Sequence, residues 1–129
     1  MNKMRWLGAG AVAGSLLFAA CDSGNASNSS NDKAGDKVAG EKVYNTKGCN
    51  GCHSTDGSQR TGPSFKGIWG TEVELEGGKK VKVDQAYVTR SIKEPGTDVV
   101  KGFSPVMPTL QVSDQEIADV SAFIESKKS

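Results

Sequence analysis

The sequence predicts a small, mostly α-helical domain with one short β-hairpin. A length of 129 residues leaves room for one such domain with its appendages. Ser113 and Glu116 form a capping box, which opens a helix that ends near Lys127. Apolar residues at helical spacing follow the cap: Ile117, Val120, Phe123 and Ile124. Alternating apolar and charged residues over 71–83 predict the hairpin.

Two further helices are expected, one before the predicted hairpin and one directly after it. Residues 38–47 read as a helix with Val43 and Tyr44 on its inward side. Residues 85–93 read as a second helix, for which Asp84 is a good N-cap. Together with the C-terminal helix, these elements make a three-helix domain that carries a hairpin insertion.

The predicted hairpin places an acidic strand against a basic strand. Val73 and Leu75 alternate with glutamates, whereas Val81 and Val83 alternate with lysines. Gly77-Gly78 supplies the turn, and opposite charges across the strands stabilise the pairing. We favour a plain structural hairpin, and a docking feature for a partner is the alternative.

The run Cys49-Asn50-Gly51-Cys52-His53 is the attachment signal for a c-type haem. If one helical turn continues through the motif, both thiols and the imidazole lie on one face. Cys-x-x-Cys alone also occurs in zinc half-sites, redox dithiols and disulfides. A structural zinc site takes four protein ligands, and a thioredoxin-like dithiol takes a βαβ context. The sequence offers neither, so haem attachment is the favoured interpretation.

Met107 is the candidate second axial ligand of the haem iron. It is the only methionine beyond residue 4, and it lies between Pro105 and Pro108. A following proline favours an extended backbone, which suits a rigid loop holding a long side chain over the haem. His/Met ligation raises the reduction potential. The alternative is that Met107 only fills space in the core.

The first twenty residues have the character of an export signal. Lys3 and Arg5 provide the positive start, and residues 6–20 are apolar or small without a charge. This stretch is short for a bilayer span, which takes about 20 apolar residues. Residues 17–21, Leu-Phe-Ala-Ala-Cys, resemble the lipobox of bacterial lipoproteins, apart from Phe18. That resemblance implies a lipid on Cys21; a spare thiol and an intermolecular disulfide are the alternatives.

Residues 21–37 are expected to hold the lipid and form a flexible tether, because alanine is the only apolar residue after Cys21. The tether serves either to let the domain swing between partners or simply to give clearance. Removing residues 1–20 changes the formal net charge from +1 to −1. No concentrated basic patch indicates binding to nucleic acid.

Residues 38–127 resemble class I cytochromes c, and residues 38–129 are expected to form the cytochrome c domain. The similarity is closest to the cytochrome c domain fused to subunit II of some bacterial haem–copper oxidases. The matching positions are the haem motif 49–53, the run 62–67 (Gly-Pro-Ser-Phe-Lys-Gly), Tyr87, Arg90-Ser91-Ile92, Pro95, Gly102-Phe103 and Met107-Pro108. No copper-binding domain precedes the haem domain, which departs from the subunit II pattern.

The resemblance implies a role for each matching residue. One haem would be attached through Cys49 and Cys52, with His53 as the proximal iron ligand and Met107 as the distal one. The carbonyl of Pro63 would accept the other imidazole N–H. Candidates to approach a haem propionate are Trp69, Tyr87 and Ser91, for which ordinary packing is the alternative.

The resemblance also implies that Gly40 and Tyr44 of the first helix cross the last helix near Phe123. The function that the resemblance implies for this protein is single-electron transfer between redox proteins of a respiratory chain, without an enzymatic substrate. Partners would include a donor and an acceptor, among them a terminal oxidase or a quinol-oxidising complex. The expected location is the periplasmic side of a membrane or the cell surface.

Two rival functions follow from other haem proteins. A peroxidase or gas sensor needs an open iron position and a polar distal pocket, which a methionine between prolines does not provide. The second rival function is that of a haem subunit that conducts electrons within a larger respiratory complex. An anchor and a tether are equally compatible with this function.

Overall fold

The computed structural model describes residues 34–128, and the sheet within this range has two antiparallel strands. The helices and strands are α1 (Lys37–Thr46), α2 (Cys49–Cys52), β1 (Glu72–Glu74), β2 (Lys80–Lys82), α3 (Gln85–Lys93) and α4 (Asp114–Glu125). The mostly helical fold with one hairpin is confirmed. The predicted signal segment, Cys21 and most of the predicted tether lie outside the described residues.

Helices α1 and α4 pack directly against each other, as the resemblance implies. Gly40 lies at the contact, where a Cβ atom would collide with the backbone of Asp119 and approach Phe123 Cβ to 2.8 Å. The Tyr44 ring lies 5.2 Å from the Phe123 ring, measured between centroids. Glycine at this position therefore allows the two helix backbones to approach closely.

Helix α1 begins one residue before the predicted Val38. Asp36 is its N-cap, and the Asp36 carboxylate accepts hydrogen bonds from the Val38 and Ala39 amides at 2.8 Å each. The Asp36 amide itself donates to Asp119 Oδ1 on α4 at 2.9 Å. The start of α1 is thus fixed both locally and by a residue far away in the chain.

Helix α4 has the predicted capping box. The Ser113 hydroxyl accepts from the Glu116 amide, and the Glu116 carboxylate accepts from the Ser113 amide at 2.8 Å. The helix ends at Glu125, two residues before the predicted end. The predicted apolar stripe is almost fully buried: Ile117, Val120, Phe123 and Ile124.

Helix α3 matches its predicted bounds, and the Asp84 carboxylate accepts from the Tyr87 amide at 2.9 Å. Its buried side chains, Tyr87, Val88 and Ile92, join the core formed by α1 and α4. Val83, which ends the hairpin, is buried in the same core. The fold therefore surrounds one apolar interior.

The acidic strand faces the basic strand as predicted, with Glu72 opposite Lys82 and Glu74 opposite Lys80. Gly77 and Gly78 have φ values of 90° and 85°, which the turn requires and which glycine adopts without strain. The close ion pair of Glu74, however, is with Lys101 (2.6 Å), because the strand lies beside a later loop. Within residues 34–128, no helix is long and apolar enough to cross a membrane.

Candidate functional site

The cysteine motif forms a single helical turn that is separate from α1. Gly48, with φ of 82°, turns the chain between the two helices, and α2 then spans Cys49–Cys52. His53 follows in an extended conformation, and its amide donates to the Cys49 carbonyl at 2.9 Å. The helical turn predicted to pass through His53 therefore ends at Cys52.

The His53 ring is fixed by three neighbours. Its Nδ1 atom lies 2.7 Å from the carbonyl oxygen of Pro63, the contact that the resemblance implied. The Phe65 ring stacks on the imidazole, with centroids 4.7 Å apart and planes 18° from parallel. The Tyr44 hydroxyl donates to the His53 carbonyl at 2.6 Å, which holds the backbone.

The hydrogen bond to Pro63 decides the tautomer of His53. A carbonyl oxygen can only accept, so Nδ1 carries the proton and Nε2 keeps a free lone pair. Burial lowers the pKa of the imidazole, although the Pro63 carbonyl opposes this shift. The ring is therefore neutral at pH 7, which is the state that can bind a metal.

Gly62 makes room for the imidazole. Its amide donates to the Cys52 carbonyl at 2.8 Å, which brings the backbone against the haem motif. A Cβ atom here would collide with the His53 ring. Glycine before Pro63 is thus a steric requirement of this arrangement.

No disulfide joins Cys49 to Cys52. Burial raises the pKa of the Cys49 thiol, which keeps it protonated near neutral pH. Protonated thiols resist oxidation better than thiolates. Both sulfurs remain available for thioether bonds.

Cys49, Cys52 and His53 line a cavity of about 310 Å³. This volume lies within the range of ligand pockets in proteins. Its walls come mainly from apolar side chains of α3, α4 and the intervening loops, among them Phe65, Ile68, Val88, Ile92, Val120 and Ile124. The cavity can therefore hold a large apolar group beside the two thiols.

The structure brings most of the predicted site residues to this cavity. Met107, Pro63, Tyr87 and Ser91 all line it. Trp69 packs against the core and is not among the residues that line the cavity. The propionate roles of Trp69, Tyr87 and Ser91 stay predictions.

Sequence reasoning missed two residues of this site. Asp98 lines the cavity with its side chain only 7% exposed, and its Oδ2 atom lies 3.1 Å from Arg90 Nε. Phe65 was part of a matching run, but its stacking on His53 was not expected. Neither the role of Asp98 nor the stacking of Phe65 is indicated by a recognisable sequence motif, so no signal in the sequence identified them.

The residues present fit a haem attached through two thioether bonds. They supply two thiols, one neutral imidazole and one thioether around a single apolar cavity. In the described range, no group of three or more His, Cys, Asp or Glu side chains could hold a metal ion. The zinc alternative therefore has no support from the geometry.

Comparison with known proteins agrees with this assignment. The cytochrome c family profile matches residues 38–128. The chain belongs to the cytochrome c family. Among solved structures, cytochrome cH from Methylobacterium extorquens is similar to this cytochrome, with a TM-score of 0.53 and 24% sequence identity over 71% of this chain and 99% of that chain. A search of curated protein sequences gives no significant match.

The family assignment establishes the cofactor and the broad function. This cytochrome has the class I cytochrome c fold, and it carries haem c bound covalently through Cys49 and Cys52. Its function is electron transfer with redox protein partners rather than enzymatic catalysis.

Proposed function

We propose that this cytochrome is membrane-anchored, has a His53/Met107-ligated haem, and transfers single electrons between respiratory-chain partners. A lipid on Cys21 would hold it on the periplasmic side of a membrane or at the cell surface. It would act as a shuttle or as a subunit associated with a terminal oxidase.

The observation that carries the ligation is the pairing of His53 with Met107 around one cavity. His53 is the single histidine of the chain, and its Nε2 lone pair is free for iron. Met107 is half-buried, and it is the methionine that lines the same cavity. No other methionine lies between residues 5 and 129.

The protein surroundings suit an electron carrier. Bound haem supplies a one-electron couple between ferric and ferrous iron. The mostly apolar walls would leave little room for water around the bound haem, and a preorganised site with little water keeps the reorganisation energy small. If His53 and Met107 both hold the iron, no position would be left on it for a substrate.

The proposed anchor depends on the N-terminal sequence. The charged start, the apolar stretch and the lipobox-like residues 17–21 support lipidation of Cys21. The tether would cover residues 22–35, because Asp36 already caps α1, and about fourteen residues have an end-to-end distance on the order of 20 Å. This distance keeps the haem domain close to membrane-bound partners.

Replacing Met107 by Ala tests the ligation. The variant should lose the methionine–iron band of the ferric spectrum, because alanine offers no sulfur. Its reduction potential should fall by on the order of 0.1 V or more, within the roughly 0.8 V range that axial ligands span. Thr109→Ala is the matched control, since Thr109 is exposed two residues after Met107 and does not line the cavity. An unchanged band in Met107→Ala would remove Met107 from the iron.

A further inference from the structure

The hairpin contacts the part of the chain that leads to Met107. The Glu76 amide donates to the Val99 carbonyl at 2.8 Å, and the Lys101 amide donates to the Glu74 carbonyl at 2.9 Å. Between these two bonds lies an antiparallel β-bridge that joins Leu75 to the later loop. The end of β1 thus pairs with residues 99–101 as a short third strand would.

Two carboxylates of the hairpin reinforce this pairing. Glu76 Oε1 accepts a hydrogen bond from the Gly102 amide at 3.0 Å. Glu74 Oε1 accepts from Lys101 Nζ at 2.6 Å. Hydrogen bonds to charged acceptors are stronger than neutral ones, although solvent exposure weakens the ion pair. Residues 101 and 102 are thereby held by side chains as well as by the backbone.

The anchored loop continues directly into the segment that carries the distal ligand. Val99, Val100 and Phe103 line the cavity, and residues 104–108, here called the Met107 segment, follow them. Among the hydrogen bonds of residues 34–128, the Met107 segment makes only one, from the Val106 amide to the Ser104 carbonyl at 2.8 Å. The segment is therefore not held by hydrogen bonds to any other element.

The other anchor lies beyond the segment. Lys47 Nζ donates to the Gln111 carbonyl at 2.9 Å, and α4 begins three residues later. Since the Met107 segment makes no hydrogen bond to another element, its two ends and the packing of Met107 against the core position it. The contacts of Glu74 and Glu76 fix the end that precedes Met107.

We propose that Glu74 and Glu76 are positioning residues for Met107, because they hold the loop that presents this thioether to the iron. The inference rests on the proposed His53/Met107 ligation. Since both carboxylates are at least partly exposed, weakening their contacts should raise the fraction of molecules in which Met107 has left the iron. It should do so without unfolding the core.

The test uses the haem-loaded ferric protein and the variant Glu76→Ala. Cyanide can bind the iron only while Met107 is away, so its association rate at low cyanide concentration reports the open fraction. Loss of one hydrogen bond to a carboxylate should raise this rate roughly five-fold. Glu72→Ala is the matched control, because Glu72 lies in the same hairpin, is exposed and has no hydrogen bond to residues 99–103.

The expected result is a faster rate in Glu76→Ala, a rate close to wild type in Glu72→Ala, and similar urea midpoints in both variants. Faster hydrogen exchange of the Gly102 amide in Glu76→Ala should accompany the faster cyanide binding. Equal rates in both variants, with the methionine–iron band present in the wild type, would overturn the positioning role and leave the ligation intact. A wild-type protein without that band would overturn both.

Discussion

Asp98 is a carboxylate with a buried side chain in the wall of a mostly apolar cavity. Its side chain is 7% exposed, and Arg90 Nε lies 3.1 Å from Oδ2. A negative charge near a haem favours the ferric state, because that state carries one more positive charge than the ferrous state. The pairing with Arg90 offsets part of this effect, so Asp98 and Arg90 together set part of the electrostatic potential at the haem.

Replacing Asp98 by Asn should raise the reduction potential. The change removes the negative charge and leaves Arg90 without its carboxylate, and both effects favour ferrous iron. The expected shift is on the order of tens of millivolts, since a tenfold change in a one-electron equilibrium corresponds to about 59 mV. Spectroelectrochemical titration measures it. Glu125→Gln is the control, because Glu125 is exposed, pairs with Lys128 and does not line the cavity. An equal potential in Asp98→Asn and wild type would contradict this role.

At the scale of the elements, the accuracy of sequence reasoning depended on how local the determining contacts are. The ends of α3 and the start of α4 were predictable, because Asp84 and Ser113 cap amides within three residues. The start of α1 was less predictable, because the Asp36 amide donates a hydrogen bond to Asp119, which lies 83 residues later in the sequence. The ion pair of Glu74 with Lys101 could not be read from the hairpin for the same reason.

Glu116 links the capping box of α4 to the first helix, and its carboxylate is sensitive to pH. The Ser113 amide, and then the Lys47 ammonium group at 3.0 Å, hold the pKa of Glu116 below its usual value. A depressed pKa in the folded state contributes stability above the unfolded pKa of about 4.3. That contribution is lost as the pH falls through the folded value.

Glu116→Gln should therefore have a lower free energy of unfolding than wild type at neutral pH. In acid, the two proteins should have similar free energies of unfolding. Glutamine keeps the capping geometry, so the variant isolates the effect of the charge. Urea unfolding of the haem-loaded protein, compared with wild type at pH 7 and at about pH 3, measures the two differences. Glu125→Gln, which removes an exposed carboxylate from the end of the same helix, serves as the control. A difference of the same size at both pH values would contradict the assignment.

At the scale of the whole molecule, the haem motif was readable because its five residues are contiguous. The cavity was not, since its walls come from residues 47 to 124. The family resemblance correctly placed Pro63 at the His53 ring and Gly40 at the helix crossing. Asp98 and the hairpin contacts of residues 99–102 have no signal in the sequence, and only the assembled fold brings them beside the cavity.

The intact mass of the native protein, purified from membranes with detergent, tests the central claim most directly. We predict the mass of residues 21–129 plus one haem that resists acid extraction, plus the lipid on Cys21. The same preparation should show a Soret band. A mass that equals the polypeptide and lipid alone would contradict covalent haem attachment through Cys49 and Cys52. That result would also contradict the electron-transfer function proposed for this cytochrome.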